Sequence, residues 1–168
     1  LKLNKRVNKV EEITLKNDCK ISCHKVVNAA GTYANVIANM VGIDIPVEAK
    51  RRYSFVFKAE KPLNQYLPLT IDPSGVHMRS DGPYYLAGCP PDYDPKVELD
   101  DFVIDHSIWE SKVWPCIANR VPQFEAVKLL NTWVGHYAYN TLDQNAIVGS
   151  HDRIENFIFS NGFSGHGL

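Results

Sequence analysis

A glycine-rich stretch carries the first chemical signal in this chain. Residues 161–168 read Asn-Gly-Phe-Ser-Gly-His-Gly-Leu and follow the apolar run Phe157-Ile158-Phe159, which is typical of a short buried strand. Glycine allows backbone conformations closed to other residues and lets main-chain N–H groups approach a ligand. If a helix begins near His166, its unpaired N–H groups would face the same ligand. The stretch predicts either a site for an electron-rich or anionic group or a strand-to-helix turn without a ligand.

Three further side chains have types suited to substrate recognition. The Arg79 guanidinium suits a substrate carboxylate because it forms two parallel hydrogen bonds, and an exposed turn arginine is the alternative interpretation. Tyr137 and Tyr139 project to one face of a predicted strand. Their side chains are suited to stacking on a ligand or to donating a hydrogen bond from the hydroxyl group, and filling the core is the alternative interpretation.

The cysteines and the charge balance exclude several classes of protein. Four cysteines are too few for a disulfide framework in a chain of 168 residues. Cys19 and Cys23 lie close to His24 but lack a second pair of ligands, so we interpret the cysteines as buried free thiols and predict no metal site. A net charge of −1 does not favour nucleic acid, and no apolar run is long enough to span a bilayer.

The elements at the start of the chain form a predicted strand–turn–helix unit. The runs at residues 7–15 and 19–28 predict a β-hairpin around the turn Asn17-Asp18. Ala29-Ala30-Gly31 then turns into a predicted helix at residues 32–41, with Thr32 as N-cap and Gly42 as the stop. Its apolar face is predicted to comprise Val36, Ile37, Met40 and Val41. Ligands lie at the carboxyl end of a strand in such a unit.

The middle of the chain is predicted to be a mostly antiparallel sheet with one helical flank. Clean alternation predicts a strand at residues 51–59, and shorter strands are predicted at residues 67–71, 76–79, 84–87 and 127–139. Residues 101–119 are predicted to be helical, with Pro115 kinking or restarting the helix. Arg51 and Arg52 are predicted to pair with carboxylates between domains.

Three segments of the chain resemble, in order and spacing, segments of the D-amino-acid-oxidase superfamily of flavoproteins. They lie at residues 26–34, 133–149 and 162–168. The superfamily includes sarcosine oxidase and dimethylglycine dehydrogenase. The resemblance implies an α+β or α/β fold class, with part of a Rossmann-like FAD-binding domain and a mostly antiparallel-sheet substrate domain with a helical flank. It implies domains at residues 1–45 with 146–168, and at residues 46–145. The superfamily's Gly-x-Gly-x-x-Gly unit is missing and Leu1 comes first, so we expect a fragment truncated at both ends.

The resemblance also implies an FAD cofactor and a set of site residues. The implied cofactor-binding residues are Asn28, Ala29, Ala30, Gly31, Gly162, Phe163, Ser164, Gly165, His166 and Gly167. The implied catalytic residues are Arg79, His136 and Tyr137. His136 aligns with a cysteine that holds the flavin covalently in sarcosine oxidases, and we interpret it as a polar neighbour of a non-covalent flavin. Leu86 aligns with the oxygen-activating lysine of the oxidases, which favours a dehydrogenase with a protein or quinone as electron acceptor.

The resemblance implies oxidation of the C–N bond of a secondary or N-methylated amino acid, with that small molecule as the partner. The alternative is a non-catalytic flavin-fold protein that helps to assemble a respiratory complex, because the resemblance extends to proteins linked to complex I assembly. A cytoplasmic location is predicted, with a mitochondrial one as the alternative. We expect the fragment alone to bind FAD weakly, and we expect the segments near Asn28 and Phe157 to be its least stable parts.

Overall fold

The computed structural model describes residues 1–166, and these contain both helices and strands. The strands are β1 (Lys2–Arg6), β2 (Lys9–Thr14), β3 (Lys20–Ser22), β4 (Val26–Asn28), β5 (Val47–Ala59), β6 (Thr70–Ile71), β7 (His77–Asp81), β8 (Tyr84–Cys89), β9 (Val127–Asn140), β10 (Ile147–Ser150) and β11 (Phe157–Asn161). The α-helices are α1 (Ala34–Asn39) and α2 (Trp114–Arg120). The mixed fold class is confirmed. None of the helices in the described part is long and apolar enough to cross a membrane.

The described chain divides into two compact units. The first contains Leu1–Lys50, Lys96–Leu99 and the residues from Tyr137 onward, and the second contains Arg51–Pro95 and Asp100–His136. The functional domains at residues 1–45 with 146–168, and at residues 46–145, stay a prediction.

The first unit holds two three-stranded sheets, with strand orders β1-β2-β3 and β10-β11-β4. The hairpin prediction is confirmed for β2 and β3, which pair antiparallel with Glu12 opposite Ser22. The second run does not continue as one strand, since β4 joins the other sheet. Asn156 explains the break, because its side-chain amide donates to the His24 carbonyl at 3.0 Å while its main-chain carbonyl accepts the Val26 N–H at 2.9 Å.

The helix of the first unit is shorter than predicted. A 3-10 turn at Gly31–Tyr33 precedes α1, and Thr32 is not its N-cap, since Tyr33 holds that position without a side-chain hydrogen bond. The buried positions are Ala34, Ala38 and Val41, whereas Val36 is 43% exposed. Small alanines fit close to the sheet, and this turns the predicted apolar face partly outward. The predicted stop at Gly42 is confirmed, since its φ of +77° is the left-handed conformation that ends helices.

The second unit contains the predicted, mostly antiparallel sheet, with strand order β6-β7-β8-β5-β9. The β6–β7, β7–β8 and β5–β8 pairs are antiparallel. The predicted alternation of β5 is confirmed, since Tyr53, Phe55 and Phe57 are all at most 3% exposed. The predicted strand at residues 67–71 shrinks to Thr70–Ile71, where Thr70 is opposite Met78.

The helical flank of the second unit begins later than predicted. Asp101 and Asp105 each accept the N–H two residues ahead, from Val103 and Ser107, and these side-chain turns keep residues 101–105 out of a helix. A π-helical turn at Trp109–Val113 then leads into α2, with Pro115 in its first turn. The restart at Pro115 is therefore confirmed, since proline has no N–H for an ordinary α-helical bond.

Two predictions about side chains change. Cys19 is exposed because it ends the turn between β2 and β3, and among the cysteines only Cys89 is fully buried. Arg51 pairs with Asp101, and Arg52 pairs with Asp94 at 2.8 Å. Both ion pairs lie within the second unit, not between domains.

Candidate functional site

The predicted cofactor-binding segments begin at neighbouring strand ends. Strands β4 and β11 run parallel, with Asn28 opposite Phe159. Residues 28–31 therefore leave the same edge of one sheet as the glycine-rich loop that follows Asn161. Ligands of α/β proteins bind outside the carboxyl ends of parallel strands. The structure brings these segments together, apart from Gly167, which lies outside the described residues.

The turn after β4 is shaped by the Asn28 side chain. Asn28 is 2% exposed, and its amide nitrogen donates to the Ala34 carbonyl at 2.8 Å. Its amide oxygen accepts the Ala30 N–H at 3.3 Å. Gly31 has a φ of +57° and open space where a Cβ would lie. The turn is thus fixed from within and leaves the glycine backbone approachable.

Ser164 fastens the glycine-rich loop to strand β9. Its N–H donates to the Ala138 carbonyl at 3.0 Å, and its hydroxyl accepts the Asn140 N–H at 2.9 Å. The same hydroxyl donates to the Gly162 carbonyl at 3.1 Å. Ser164 has a φ of +53°, and these bonds hold that uncommon conformation in place. The predicted Ser164 hydroxyl is therefore engaged inside the chain.

Two glycines of this loop sit where side chains would collide. A Cβ on Gly165 would lie 2.3 Å from the Tyr137 ring, and the φ of Gly165 is +97°. A Cβ on Gly162 would lie 3.2 Å from both Val47 and Asn140. The Tyr137 ring thus lies directly against the Gly165 backbone. We call this contact the glycine cradle, and it has no room for a residue larger than glycine.

Asn161, the last residue of β11, is a buried amide at the same strand end that the sequence interpretation did not single out. It is 1% exposed, and among the described residues neither its amide nitrogen nor its amide oxygen has a hydrogen-bond partner. Buried polar groups in proteins nearly always have partners. The signal in the sequence was an asparagine at the third inward position of a strand, after Phe157 and Phe159.

In the second unit, Arg79 lies within strand β7 and not in a turn. It is opposite Leu86 of β8, which is in turn opposite Val56 of β5. Arg79 forms an ion pair with Asp81 at 3.3 Å, and its side chain is 42% exposed. A carboxylate already contacts this guanidinium, which shows that the position accepts one.

His77 shares the face of β7 that Arg79 occupies. Its ring lies over Gly88 of β8, where a Cβ would come within 2.8 Å of the imidazole Nε2. Partial burial lowers the pKa of His77 below its ordinary value, opposed by a hydrogen bond to the Gly75 backbone. The imidazole is therefore neutral near pH 7.

His136 is held in one orientation at the end of the second unit's part of β9. Its Nε2 lies 2.7 Å from the Asp101 carbonyl, which can only accept, so Nε2 carries the proton. Its ring stacks on Phe102 with centroids 4.4 Å apart. Asp101 also binds Arg51, so the segment carrying His136's partner is fixed to β5. In the neutral tautomer only Nδ1 remains available as an acceptor.

Within residues 1–166 there is no group of three or more metal-binding side chains. Of the predicted site residues that the structure describes, residues 28–31, Tyr137 and residues 162–166 lie in the first unit, and Arg79 and His136 lie in the second.

Comparison with known proteins places this geometry in context. The family described as "FAD dependent oxidoreductase" matches residues 1–168. The chain is 38% identical over 161 residues to FAD-dependent oxidoreductase domain-containing protein 1 of Xenopus laevis, covering 88% of this chain and 32% of that protein. The chain therefore spans about a third of the length of this relative.

Two solved structures have the same fold. L-proline dehydrogenase from P. horikoshii superposes with a TM-score of 0.85 at 22% identity, covering 99% of this chain and 44% of that one. Iminodiacetate oxidase from Chelativorans sp. BNC1 gives a TM-score of 0.77 at 17% identity, covering 98% of this chain and 44% of that one.

Proposed function

The chain belongs to the FAD-dependent oxidoreductase family, and from this premise we propose that it forms part of an enzyme that oxidises the C–N bond of a secondary or N-methylated amino acid. The observation that carries the proposal is the meeting of residues 28–31 and the glycine-rich loop at one edge of a parallel strand pair. L-Proline and iminodiacetate, named for two similar structures, are both secondary amino acids, which supports the substrate class.

The residues at this edge fit the cofactor. Gly31 leaves open space where a Cβ would lie, and Asn161 offers a buried amide without a partner among the described residues. When bound, FAD supplies the redox chemistry by accepting two electrons from the substrate carbon beside the nitrogen. The N–H groups of Ser164 and His166 donate within the chain, so we assign the cofactor-facing donors to Phe163 and Gly165.

On the substrate side, we propose that Arg79 binds the carboxylate. The substrate carboxylate would replace Asp81, which contacts Arg79 at 3.3 Å on a half-exposed surface where an ion pair is weak. His136, with its Nε2 used by Asp101, offers Nδ1 to a polar group, and Tyr137 supports the loop that approaches the cofactor.

Leu86 supports a dehydrogenase. The leucine at position 86, opposite Arg79 and Val56 on the neighbouring strands, replaces the lysine that the resemblance to the oxidases would place there. We therefore propose that electrons pass to a protein or a quinone.

The test uses the full-length protein. It should release FAD on denaturation and reduce a dye acceptor with sarcosine, dimethylglycine or proline. Arg79→Met should raise KM for these substrates about tenfold or more, since a charged hydrogen bond is lost, whereas Arg153→Met, an exposed control, should leave KM unchanged. Absence of flavin in the purified protein would contradict the proposal.

A non-catalytic assembly role is the second candidate. Tyr66, Leu69 and Ile71 are each more than 60% exposed beside the edge strand β6, and such a group suits a protein partner. FAD binding without turnover of any amine would favour this role. A cytoplasmic or mitochondrial location stays a prediction.

We further propose that the 168-residue chain alone binds FAD weakly. It spans about a third of the length of its relative, and we infer that it supplies only part of the contacts to the cofactor. Titration of the isolated chain with FAD, followed by flavin fluorescence, should show no saturation at micromolar concentrations.

A further inference from the structure

Four asparagines are buried in the first unit, and one of them differs from the others. Asn28 and Asn156 bond backbone groups on both sides of their amides. Asn140 donates to the Asn145 carbonyl at 2.7 Å and accepts the Leu142 N–H at 3.0 Å. Asn161 alone has no partner for either amide atom among the described residues, although it is 1% exposed.

The position of Asn161 explains why the sheet offers it no partner. It lies two residues beyond the Phe159–Asn28 pair, where β4 has already turned away at Ala29. Gly162 follows at a φ of +68° and is packed against Val47 and Asn140, so the strand end cannot shift freely to find a partner. A buried amide without a partner destabilises the folded chain, so a group outside the described residues that satisfied it would stabilise the protein.

We propose that the Asn161 side chain binds the FAD cofactor at a group that both donates and accepts a hydrogen bond. This inference rests on the proposed function. An amide presents two N–H donors and one carbonyl acceptor, so its partner must offer both roles. The pyrimidine edge of the flavin ring and the ribityl hydroxyls have this chemistry, whereas phosphate oxygens only accept. Asn161 is therefore assigned to the riboflavin half of the cofactor.

The test compares Asn161→Leu with wild type in the full-length protein, as apoprotein and with FAD. Leucine has nearly the same shape and removes both polar atoms. The Tm of the apoprotein should stay equal or rise, because the unpartnered amide is gone, while the Kd for FAD should rise about three- to tenfold. Asn39→Leu, at an exposed position of α1, is the control and should leave the FAD Kd unchanged.

Asn161→Ser is the second variant, since a serine hydroxyl donates and accepts but is shorter; its Kd should lie between those of wild type and Asn161→Leu. An unchanged flavin reduction potential in Asn161→Leu would place the contact on the ribityl chain, and a shifted potential would place it on the ring.

Equal FAD Kd values for Asn161→Leu and wild type would overturn this inference but not the proposed function. A lower apoprotein Tm with unchanged Kd would also overturn it, by showing that the chain itself satisfies Asn161. If wild type binds no FAD, the proposed function fails as well.

Discussion

The cores of the two units contain different types of side chain. The second unit packs aromatic rings, and Phe57 contacts Tyr85, Trp109 and Phe124 at centroid distances of 5.1–5.5 Å. The first unit packs mostly aliphatic side chains and alanines around the pair Phe157 and Phe159, and its buried polar residues are all asparagines. Packed aromatic rings stabilise a core by burying a large apolar area. An amide that is hydrogen-bonded to a backbone group also fixes the orientation of that backbone group.

This difference suits the roles proposed for the two units. In the proposed function the backbone turns of the first unit present N–H groups to the cofactor, and asparagines such as Asn28 bond the turns themselves. The second unit presents long side chains from a sheet, so a firm core beneath the strands is sufficient. Variants in each unit can test whether aromatic packing and directed hydrogen bonds divide the two units in this way.

The largest effect is expected in the aromatic core. Phe57→Ala should lower the free energy of unfolding of the second unit by about 3–5 kcal/mol, because a fully buried ring leaves a cavity. Native-state hydrogen exchange across β5 and β8 would measure it. Tyr93→Ala, at a side chain that is 82% exposed, is the control and should change the value by less than about 0.5 kcal/mol. A similar loss in both variants would contradict the assigned core.

Asn156→Ala should cost about 2–3 kcal/mol in the first unit. It removes partners from both the N–H and the carbonyl of Val10, and from the His24 carbonyl. Hydrogen exchange should accelerate in β2 and β4 but not in β5. Asn39→Ala, at an exposed position of α1, should have little effect. If Asn156→Ala loosened the second unit equally, the comparison between the units would fail.

Gly165→Ala should cost about 1–3 kcal/mol, since a φ of +97° and the Tyr137 ring both oppose a side chain. Gly135→Ala is a matched control, because nothing lies within 4 Å of its Cβ position. The FAD content of the purified full-length variants would show the difference. Equal FAD content in both variants would mean that the cradle does not matter for binding.

The sequence predicted elements whose signals are local. Alternation identified β5, and the run before Gly162 identified β11. It did not predict the break between β3 and β4, because that break depends on Asn156, which lies 132 residues from His24. The delayed start of the helical flank was missed because the segment from Asp101 was expected to be helical, whereas the side chains of Asp101 and Asp105 close separate turns.

In the site, residue types indicated the glycine cradle, but its cause lies in the ring of Tyr137, which no pattern near Gly165 reveals. Asn161 was missed for a related reason. A lone asparagine indicates a binding role only when its burial and its lack of partners are known, and both depend on the folded chain.

Smaller effects come from titrating groups. Burial holds the pKa of His77 below its ordinary value, so the unfolded chain binds more protons just below pH 6.5. Stability of the second unit should therefore rise with pH up to about 6.5 and then level off. Urea unfolding of wild type and His77→Gln at several pH values would measure this, and the rise should be absent in the variant. A fall in stability over that window would contradict the assignment.

The smallest effect concerns thiol chemistry and leaves stability unchanged. Burial raises the pKa of Cys89 to about 11, while Cys19 is exposed. Since the thiolate is the reactive form, iodoacetamide at pH 8 should modify Cys19 first and Cys89 last. Peptide mass spectrometry would give the order, and early labelling of Cys89 would show that the second unit opens readily.

The parallel pairing of β4 with β11 also has a consequence for how the protein is made. The paired residues Val26 and Phe157 are 131 positions apart, whereas β7 and β8 are joined by a tight turn at Gly82. On the ribosome, at about 5–20 residues per second, Val26 would wait on the order of ten seconds for its partner strand to be synthesised. The hairpins of the second unit can form during that interval, because closing short loops costs little entropy. The segment around Val26 should therefore stay unpaired with β11 during most of translation, well before the edge formed by these two strands exists.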